Sequence, residues 1–437
     1  MARFIIQGGH PIGGAFRPLG NKNAVLPMLA ACVLTDEPVV LDNVPRILDV
    51  ENMLLLLAGL GVDVSRRGHA VTLGAGNLKS TALDPALCQR VRGSILLAGP
   101  LAARHGSAVL HPPGGDVIGR RRLDTHFEGL ARIGIGMTAQ AGAFHLRRRR
   151  SFRGADLLLD EASVTATENI LMAAALAPGR TVIRNAACEP HVQDLGALLS
   201  KMGACISGLG TNRLEIQGVE RLGGARHRVG PDYIEIGSLL AAAAATGGEL
   251  TVTDLPDATA LEVMQRAFAR LGVTWKIHGG TLRLPARQSL RVRRDLGDAI
   301  PKMEDGIWPA IPSDLLSVAL VLATQTRGEI LFFEKLFESR MYFVDRLLEM
   351  GATLVQCDPH RVLVSGPARL RAQHITSPDI RAGMALIIAA LCAKGRTVIE
   401  QAEMVDRGYE RIDARLRALG ARIQRQSGHP HPEKHHT

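Results

Sequence analysis

The sequence predicts an α/β protein assembled from six copies of one repeat, three to a domain. Three observations carry this. First, an apolar helical stretch ending in Leu, Met or Ile before a glycine recurs along the chain: LAGLGVDV around Gly61, ARIGIGMT around Gly134, SKMGACIS around Gly203, ARLGVTWK around Gly272, LEMGATLV around Gly351 and RALGARIQ around Gly420. Each glycine stands where a helix ends in a left-handed residue. Second, each is followed by a strand, a polar turn and usually a second strand, as in GVDVSRRGHAVTLGA and GATLVQCDPHRVLVSG. The turns carry RG, GG or DPH, as hairpins require. Third, a strand with a Gly, Asn or Asp entry lies ahead of the helices, in PVVLDNV, RTVIRNA, ELTVTDL, EILFFEK and RTVIEQA. The copies are about 70 residues apart, longer than solenoid repeats of roughly 20–50.

Taken in order, the N-terminal segment supplies a strand that the last copy, around Gly420, lacks. PLGNKNAVLPMLAACVL then places Lys22 and Asn23 just before a very apolar helix. Helix N-termini attract anions, and a lysine there suits phosphate or carboxylate; it equally suits a lysine snorkelling at a helix start. Gly-Pro in RVGPDYIE, near the midpoint, marks a domain boundary at 229–232. The expected domains are therefore 22–230, and 1–21 with 231–425. The remainder, 426–437, is polar, proline-bearing and rich in histidine, the composition of a disordered end.

The 437 residues suffice for two domains with sizeable cores. Only 3% are aromatic, so those cores are built from Ala, Val, Leu and Ile. A net charge of +10 favours anionic partners. The six cysteines, Cys32, Cys88, Cys188, Cys205, Cys357 and Cys392, lack CxxC spacing and predict reduced thiols in a cytoplasmic protein, without a disulfide framework or zinc site. No signal peptide and no membrane span are expected. The run Arg147–Arg150 is the strongest nucleic-acid signal, but aromatic residues for base stacking are scarce, and a solvated hairpin face accounts for it.

The stretch from His111 to Asp124 reads HPPGGDVIGRRRLD. Two prolines stop regular structure, and Gly114 and Gly115 give a flexible turn. Asp116 sits at the tip, ahead of Gly119 and three arginines. This suits a lid that closes on an anionic substrate and delivers a proton; read by itself it also suits a solvated loop.

GNKNAVLP, PPGGDVIGRRRLD, SVTATENI, PDYIEIGS, PSDLLS, FESRM and DRGYERIDARLRALGA occur in this order. Together they resemble the enolpyruvyl transferases, and among them those acting on a UDP-sugar, from the N-terminus to about Arg425. The resemblance implies two inside-out α/β barrels of three βαβαββ repeats each, with the active site in the cleft between them. It implies a reaction between phosphoenolpyruvate and UDP-N-acetylglucosamine that releases phosphate, early in peptidoglycan precursor synthesis. It implies no cofactor, metal, nucleic acid or membrane partner, and leaves the oligomeric state open.

By matching motif, Lys22, Arg121 and Arg407 would grip phosphoenolpyruvate, with Arg92 and Arg381 nearby. Asp314 matches the base for the sugar hydroxyl, although Ser313 or Asp314 alone reads as a helix cap. Asn23 would contact the sugar. Arg121, Arg122, Leu123, Asp124, Thr125, Ser163, Val164, Leu336 and Arg340 would complete the substrate site. Asp232 and Glu235 sit at the domain crossover, where a structural salt bridge is as good a reading. Asp116 stands where well-known members carry Cys. A carboxylic acid donates a proton as a thiol does, provided it holds that proton until it meets the substrate. Glu161 and Leu48 each replace a lysine near the nucleotide and leave the acceptor open. The alternatives are another acceptor, such as shikimate 3-phosphate or a uridine nucleotide, and an RNA-binding or RNA-end-processing protein.

Overall fold

The computed structural model describes residues 2–116 and 118–427. They form two compact units, one of residues 19–116 and 121–232, the other of 2–18, 118–120 and 233–427. The limits expected at 22 and 230 thus fall at 19 and 232, and 118–120 group with the second unit.

Each unit holds three sheets, and all six repeat one topology. In the third, Asp156–Leu158 runs parallel to Arg180–Arg184, which pairs antiparallel with Arg213–Gln217, itself hairpinned to Cys205–Ser207. Lys302–Glu304, Gly328–Phe333, Arg361–Gly366 and Leu354–Gln356 repeat that order. In the second sheet the parallel strand shrinks to one bridge, Ala82 to Val109, beside Ser107–Leu110. Other sheets borrow a strand from far along the chain. Ala225–Arg228 joins Val39–Asp42, and Gly14–Phe16 joins Leu250–Val252. In the last, the strand after Gly420, Arg422–Ser427, has no hairpin partner of its own. Ala2–Gln7 takes that place, between it and Arg396–Glu400.

This pairing corrects the expected tail. Gln426 and Ser427 are strand residues, facing Arg3 and Ala2 in register, and the Arg3 guanidinium donates to Gln426 Oε1 at 3.0 Å. The histidines beyond them lie outside the described residues.

All six repeat glycines adopt positive φ, from +79° to +104°. At Gly134 and Gly272 contact demands glycine as well: an added Cβ would lie 2.7 Å from Phe152 Cα and 2.3 Å from the Ser289 carbonyl oxygen. Each repeat contributes two helices of different character. Lys22–Ala31, Ala98–His105 and Val164–Ala174 in the first unit, and Tyr233–Thr246, Ser313–Thr324 and Ile380–Cys392 in the second, are apolar nearly all round, which marks a helix for burial. In Ile380–Cys392 every residue through Leu391 is buried. These helices pack at the centre of their own unit, and their alanines and glycines allow close approach without aromatic filling. Several of the second helices are amphipathic. Ala258–Ala269 buries Ala260, Leu261, Met264 and Phe268, one stripe at helical spacing. Sheets and amphipathic helices therefore surround a helical centre.

Arg147–Arg150 are exposed, as a solvated hairpin face would be. Arg148 does more, donating to the Ala103 carbonyl at 2.6 Å near the end of Ala98–His105, where a cation complements the helix dipole. None of the six cysteines is disulfide-bonded. Among the described residues no helix is long and apolar enough to cross a membrane.

Candidate active site

The predicted residues are divided between the two units. In the first, Asn21 lies extended before the helix Lys22–Ala31. Its side-chain oxygen accepts from the N–H groups of Asn23 (2.8 Å) and Ala24 (3.1 Å), an N-cap. Lys22 therefore opens the helix, and its Nζ lies 2.7 Å from Asp49 Oδ2. Asp49 is buried in the first turn of Leu48–Leu60. The lysine is thus neither snorkelling nor loose: an acid that the motif reading missed aims it.

The glycine pair after Pro113 makes close contacts with the segment around Gln89. Gly114 N–H donates to the Cys88 carbonyl at 3.0 Å, and a Cβ on Gly114 would lie 1.7 Å from the Gln89 carbonyl oxygen. Gly115, at φ +122°, packs on Arg92 Cβ. Asp116, half-buried, leaves this anchored stretch. Gly114→Ala should push the loop off Gln89 and lower kcat by about 10²-fold, the scale of a 1 Å misplacement. Steady-state kinetics beside an unchanged circular dichroism spectrum checks this, and a normal kcat refutes it.

Arg92 donates from Nη2 to the Arg121 carbonyl at 2.7 Å. Burial, and then the like charge of Arg121, push Arg92 down to about 10, so it remains a cation at neutral pH. An anion between the two guanidiniums would relieve that repulsion. Arg122 bridges Asp124 (2.8 Å) and Asp160 (3.3 Å). Thr125 donates its hydroxyl toward Asp160 (2.6 Å) and Glu161 (3.2 Å). Leu123 precedes the helix Asp124–Arg132, and Ser163 precedes the helix that opens with Val164. Beneath them lies His126, held near 3 by burial and by Arg92, hence neutral. Asn169 Oδ1 accepts from Gly99 N–H at 2.6 Å, so its amide nitrogen faces His126 Nδ1 at 3.1 Å as a donor. The His126 proton is then on Nε2, directed at Thr165 Oγ1 3.0 Å away. Neither His126 nor Asn169 carries a sequence signal beyond lying in or beside the quoted motifs.

In the second unit Asp314 stands in the first turn of Ser313–Thr324. The N-cap is Pro312, without a side-chain cap bond, and Asp314 is not the cap that its position suggested. Its two oxygens are each taken by a guanidinium: Arg340 Nη2 at 3.2 Å from Oδ1 and Arg381 Nη2 at 2.8 Å from Oδ2. Arg381 is itself positioned twice. Asp379 caps its helix by accepting from Arg381 N–H (2.8 Å) and Ala382 N–H (3.0 Å). Tyr409 Oη lies 3.2 Å from Arg381 Nη1 and 2.9 Å from Ser238 Oγ. Asp379 was legible as an acid just before an apolar run, and Tyr409 lay inside DRGYER. Arg407, half-buried, follows the helix Glu403–Asp406 two residues before Tyr409. Leu336, 43% exposed, immediately precedes the FESRM stretch, in which Arg340 is buried over the Phe337 ring. There Arg120 N–H donates to Glu338 Oε2 at 3.1 Å, and Ser339 N–H to the Ile118 carbonyl at 3.0 Å.

The crossover acids are both engaged within the fold. Glu235 pairs with Arg415 at 2.9 Å, and Asn21 Nδ2 donates to Asp232 at 3.3 Å. Among the described residues no group of three or more His, Cys, Asp or Glu is placed to hold a metal ion.

Residues 6–416 match the profile of EPSP synthase (3-phosphoshikimate 1-carboxyvinyltransferase). The UDP-N-acetylglucosamine 1-carboxyvinyltransferase of Bradyrhizobium diazoefficiens is 50% identical over 97% of this chain and 98% of its own. That of Treponema pallidum is 51% identical over 97% and 99%. The enolpyruvyl transferase NikO from Streptomyces tendae superposes with a TM-score of 0.86 at 23% identity, over 98% and 99% of the two chains. An Acinetobacter baumannii EPSP synthase superposes at 0.74 and 17% identity, over 98% and 100%. These two share the fold. With the profile spanning nearly the whole chain and half the residues identical to the carboxyvinyltransferases, the chain belongs to the EPSP synthase family of enolpyruvyl transferases.

Proposed function

We propose that this chain transfers the enolpyruvyl group of phosphoenolpyruvate to the 3′-hydroxyl of UDP-N-acetylglucosamine and releases phosphate, at the start of peptidoglycan precursor synthesis in the cytoplasm. What carries the reading is the match along 97% of the chain, at 50% and 51% identity, to proteins named for that reaction.

The chemistry needs a base, an acid and fixed cations. Asp314 takes the proton of the 3′-hydroxyl, and the new alkoxide oxygen bonds to C2 of phosphoenolpyruvate. Asp116 gives its proton to the methylene carbon, which becomes a methyl group. The tetrahedral ketal then loses a methyl proton and the phosphate, and the enol ether remains. Lys22, Arg92, Arg121, Arg381 and Arg407 hold the phosphate and carboxylate, where preorganised charge lowers the barrier most. Asn23, Arg122, Leu123, Asp124, Thr125, Ser163, Val164, Leu336 and Arg340 receive the nucleotide sugar. The orientation of Lys22 by Asp49 and of Arg381 by Asp379 and Tyr409 supports these assignments, since a positioned cation loses less entropy on binding.

The family profile, named for the shikimate enzyme, favours a second acceptor, shikimate 3-phosphate. Phosphate release from phosphoenolpyruvate, measured with each acceptor in turn, separates the two. UDP-N-acetylglucosamine should support turnover and shikimate 3-phosphate should not. The opposite preference, or turnover only with a free uridine nucleotide, overturns the assignment.

A further inference from the structure

Behind Asp314 lie two carboxyl groups that the proposed reaction leaves unused. Glu334, just past the strand Gly328–Phe333, and Asp305, just past Lys302–Glu304, are both 0% exposed. Asp305 N–H donates to the Phe333 carbonyl at 3.3 Å and the Asp305 carboxyl accepts from Lys335 N–H, so Asp305 straddles Glu334 and the two carboxyl groups meet. Ser313 Oγ lies 2.8 and 2.9 Å from the two Glu334 oxygens, but its single proton serves one of them at a time. Asp305 Oδ1 accepts from Lys335 N–H at 2.5 Å, while Asp305 Oδ2 is fully buried with no donor upon it. Arg340 Nε, 3.9 Å from Glu334 Oε2, is also buried without a partner.

Two buried carboxylates in contact cannot both be charged. We propose that Glu334 and Asp305 share one proton, and that this proton keeps Arg340 on Asp314, making Glu334 a positioning residue for the base. The inference rests on Asp314 being that base. A proton on the pair gives Asp305 Oδ2 the donor it lacks. It also leaves Glu334 without a charge of its own. Were Glu334 a carboxylate, it would compete at 3.9 Å for the guanidinium that reaches Asp314 at 3.2 Å.

The other charges facing the pair are few. Lys335 lies beside Glu334 in sequence, and its ammonium faces Glu304 at 3.5 Å. Glu304 also pairs with Lys302 at 2.6 Å. His360 Nδ1 contacts the Glu334 carbonyl at 2.7 Å, not its carboxyl. Arg381 is on the far oxygen of Asp314. Burial, and then the Asp305 contact, push Glu334 up to about 9. The proton is therefore present at neutral pH and leaves as pH rises through that value.

Infrared spectroscopy of the purified protein reads the proton directly. The wild type should show the C=O stretch of a protonated carboxylic acid at pH 7, fading near pH 9. One component of that absorption should be lost in the Glu334→Gln minus wild-type difference spectrum, over the background of other buried carboxyl groups such as Glu168, and should persist in Asp314→Asn and Asp116→Asn. Kinetics read the positioning. Glu334→Leu should lower kcat about tenfold, and Glu334→Gln should recover most of the loss, because its amide donates to Asp305 and accepts from Ser313. In an Arg340→Lys background Glu334→Leu should add nothing, as expected of residues acting through one another. No band at neutral pH, a band indifferent to Glu334→Gln, or additive kinetic losses would each overturn the proposal. Full activity in Asp314→Asn would instead overturn the base assignment, and leaves the infrared result to judge the pair alone.

Discussion

Asp314→Ala should turn over about 10²–10⁴-fold more slowly than the wild type and still bind the nucleotide sugar. A positioned base contributes on that scale, roughly 3–5 kcal/mol of barrier. The geometry makes the assignment testable. Arg340 and Arg381 each take one oxygen, which fixes the plane of the carboxylate. The cost to the fold is a separate quantity. Removing the carboxylate brings two buried guanidiniums together unscreened, and breaking such a pair costs about 3–5 kcal/mol when fully buried. Asp314 is partly exposed, so the loss should fall below that range. Asp314→Asn keeps the shape and one acceptor oxygen, and should melt closer to the wild type while remaining as slow as the alanine variant. Rate and melting temperature measured on the same samples separate the two effects. A cap would behave differently, costing about 1 kcal/mol of stability with activity kept. Retained activity in both variants would remove Asp314 from the chemistry.

What the sequence shows of this protein is what local physics dictates. The six glycines were legible because a helix end demands a left-handed residue within a few positions, and all six have it. Even the missing strand after Gly420 could be read as an absence, and Ala2–Gln7 fills it. The site was legible as a set of cations and two acids, but not as a set of contacts. Asp49, Asp305 and Glu334 carry no local signal, because their partners lie one helix or one strand away. The contact at Gly114 was illegible for the same reason. Its motif suggests freedom, whereas the Gln89 carbonyl pressed against it comes from another segment. At Asp314 the local rule for helix starts competed with a tertiary one, and two arginines decided for the latter.

Asp116 should make this chain resistant to fosfomycin while leaving turnover normal. In relatives with cysteine at the loop tip, the thiolate opens the drug's epoxide. Thiolates are soft, strong nucleophiles; a carboxylate is far weaker, and a carboxylic acid weaker still. Proton donation to the methylene carbon requires only an acid in the right place. The two functions of the loop residue therefore separate at this position. Asp116→Cys should keep activity and become sensitive to the drug, since both groups donate a proton but only one alkylates readily. Asp116→Asn should lose about 10²-fold or more in kcat, because the amide has the shape but no acidic proton. Cys88, Cys188 and Cys392 do not offer the drug a substitute, whereas Cys205 and Cys357 are exposed and are the positions the adduct measurement must also read. Burial pushes the Cys88 and Cys188 thiols up and Cys392 up to about 12, which leaves little thiolate at neutral pH. Mass spectrometry after incubation with fosfomycin and UDP-N-acetylglucosamine decides the matter. Wild type should emerge unmodified and active, and Asp116→Cys should carry one adduct per chain. A stoichiometric adduct on the wild type with loss of activity, on Asp116 or on any cysteine, would overturn this reading of the loop.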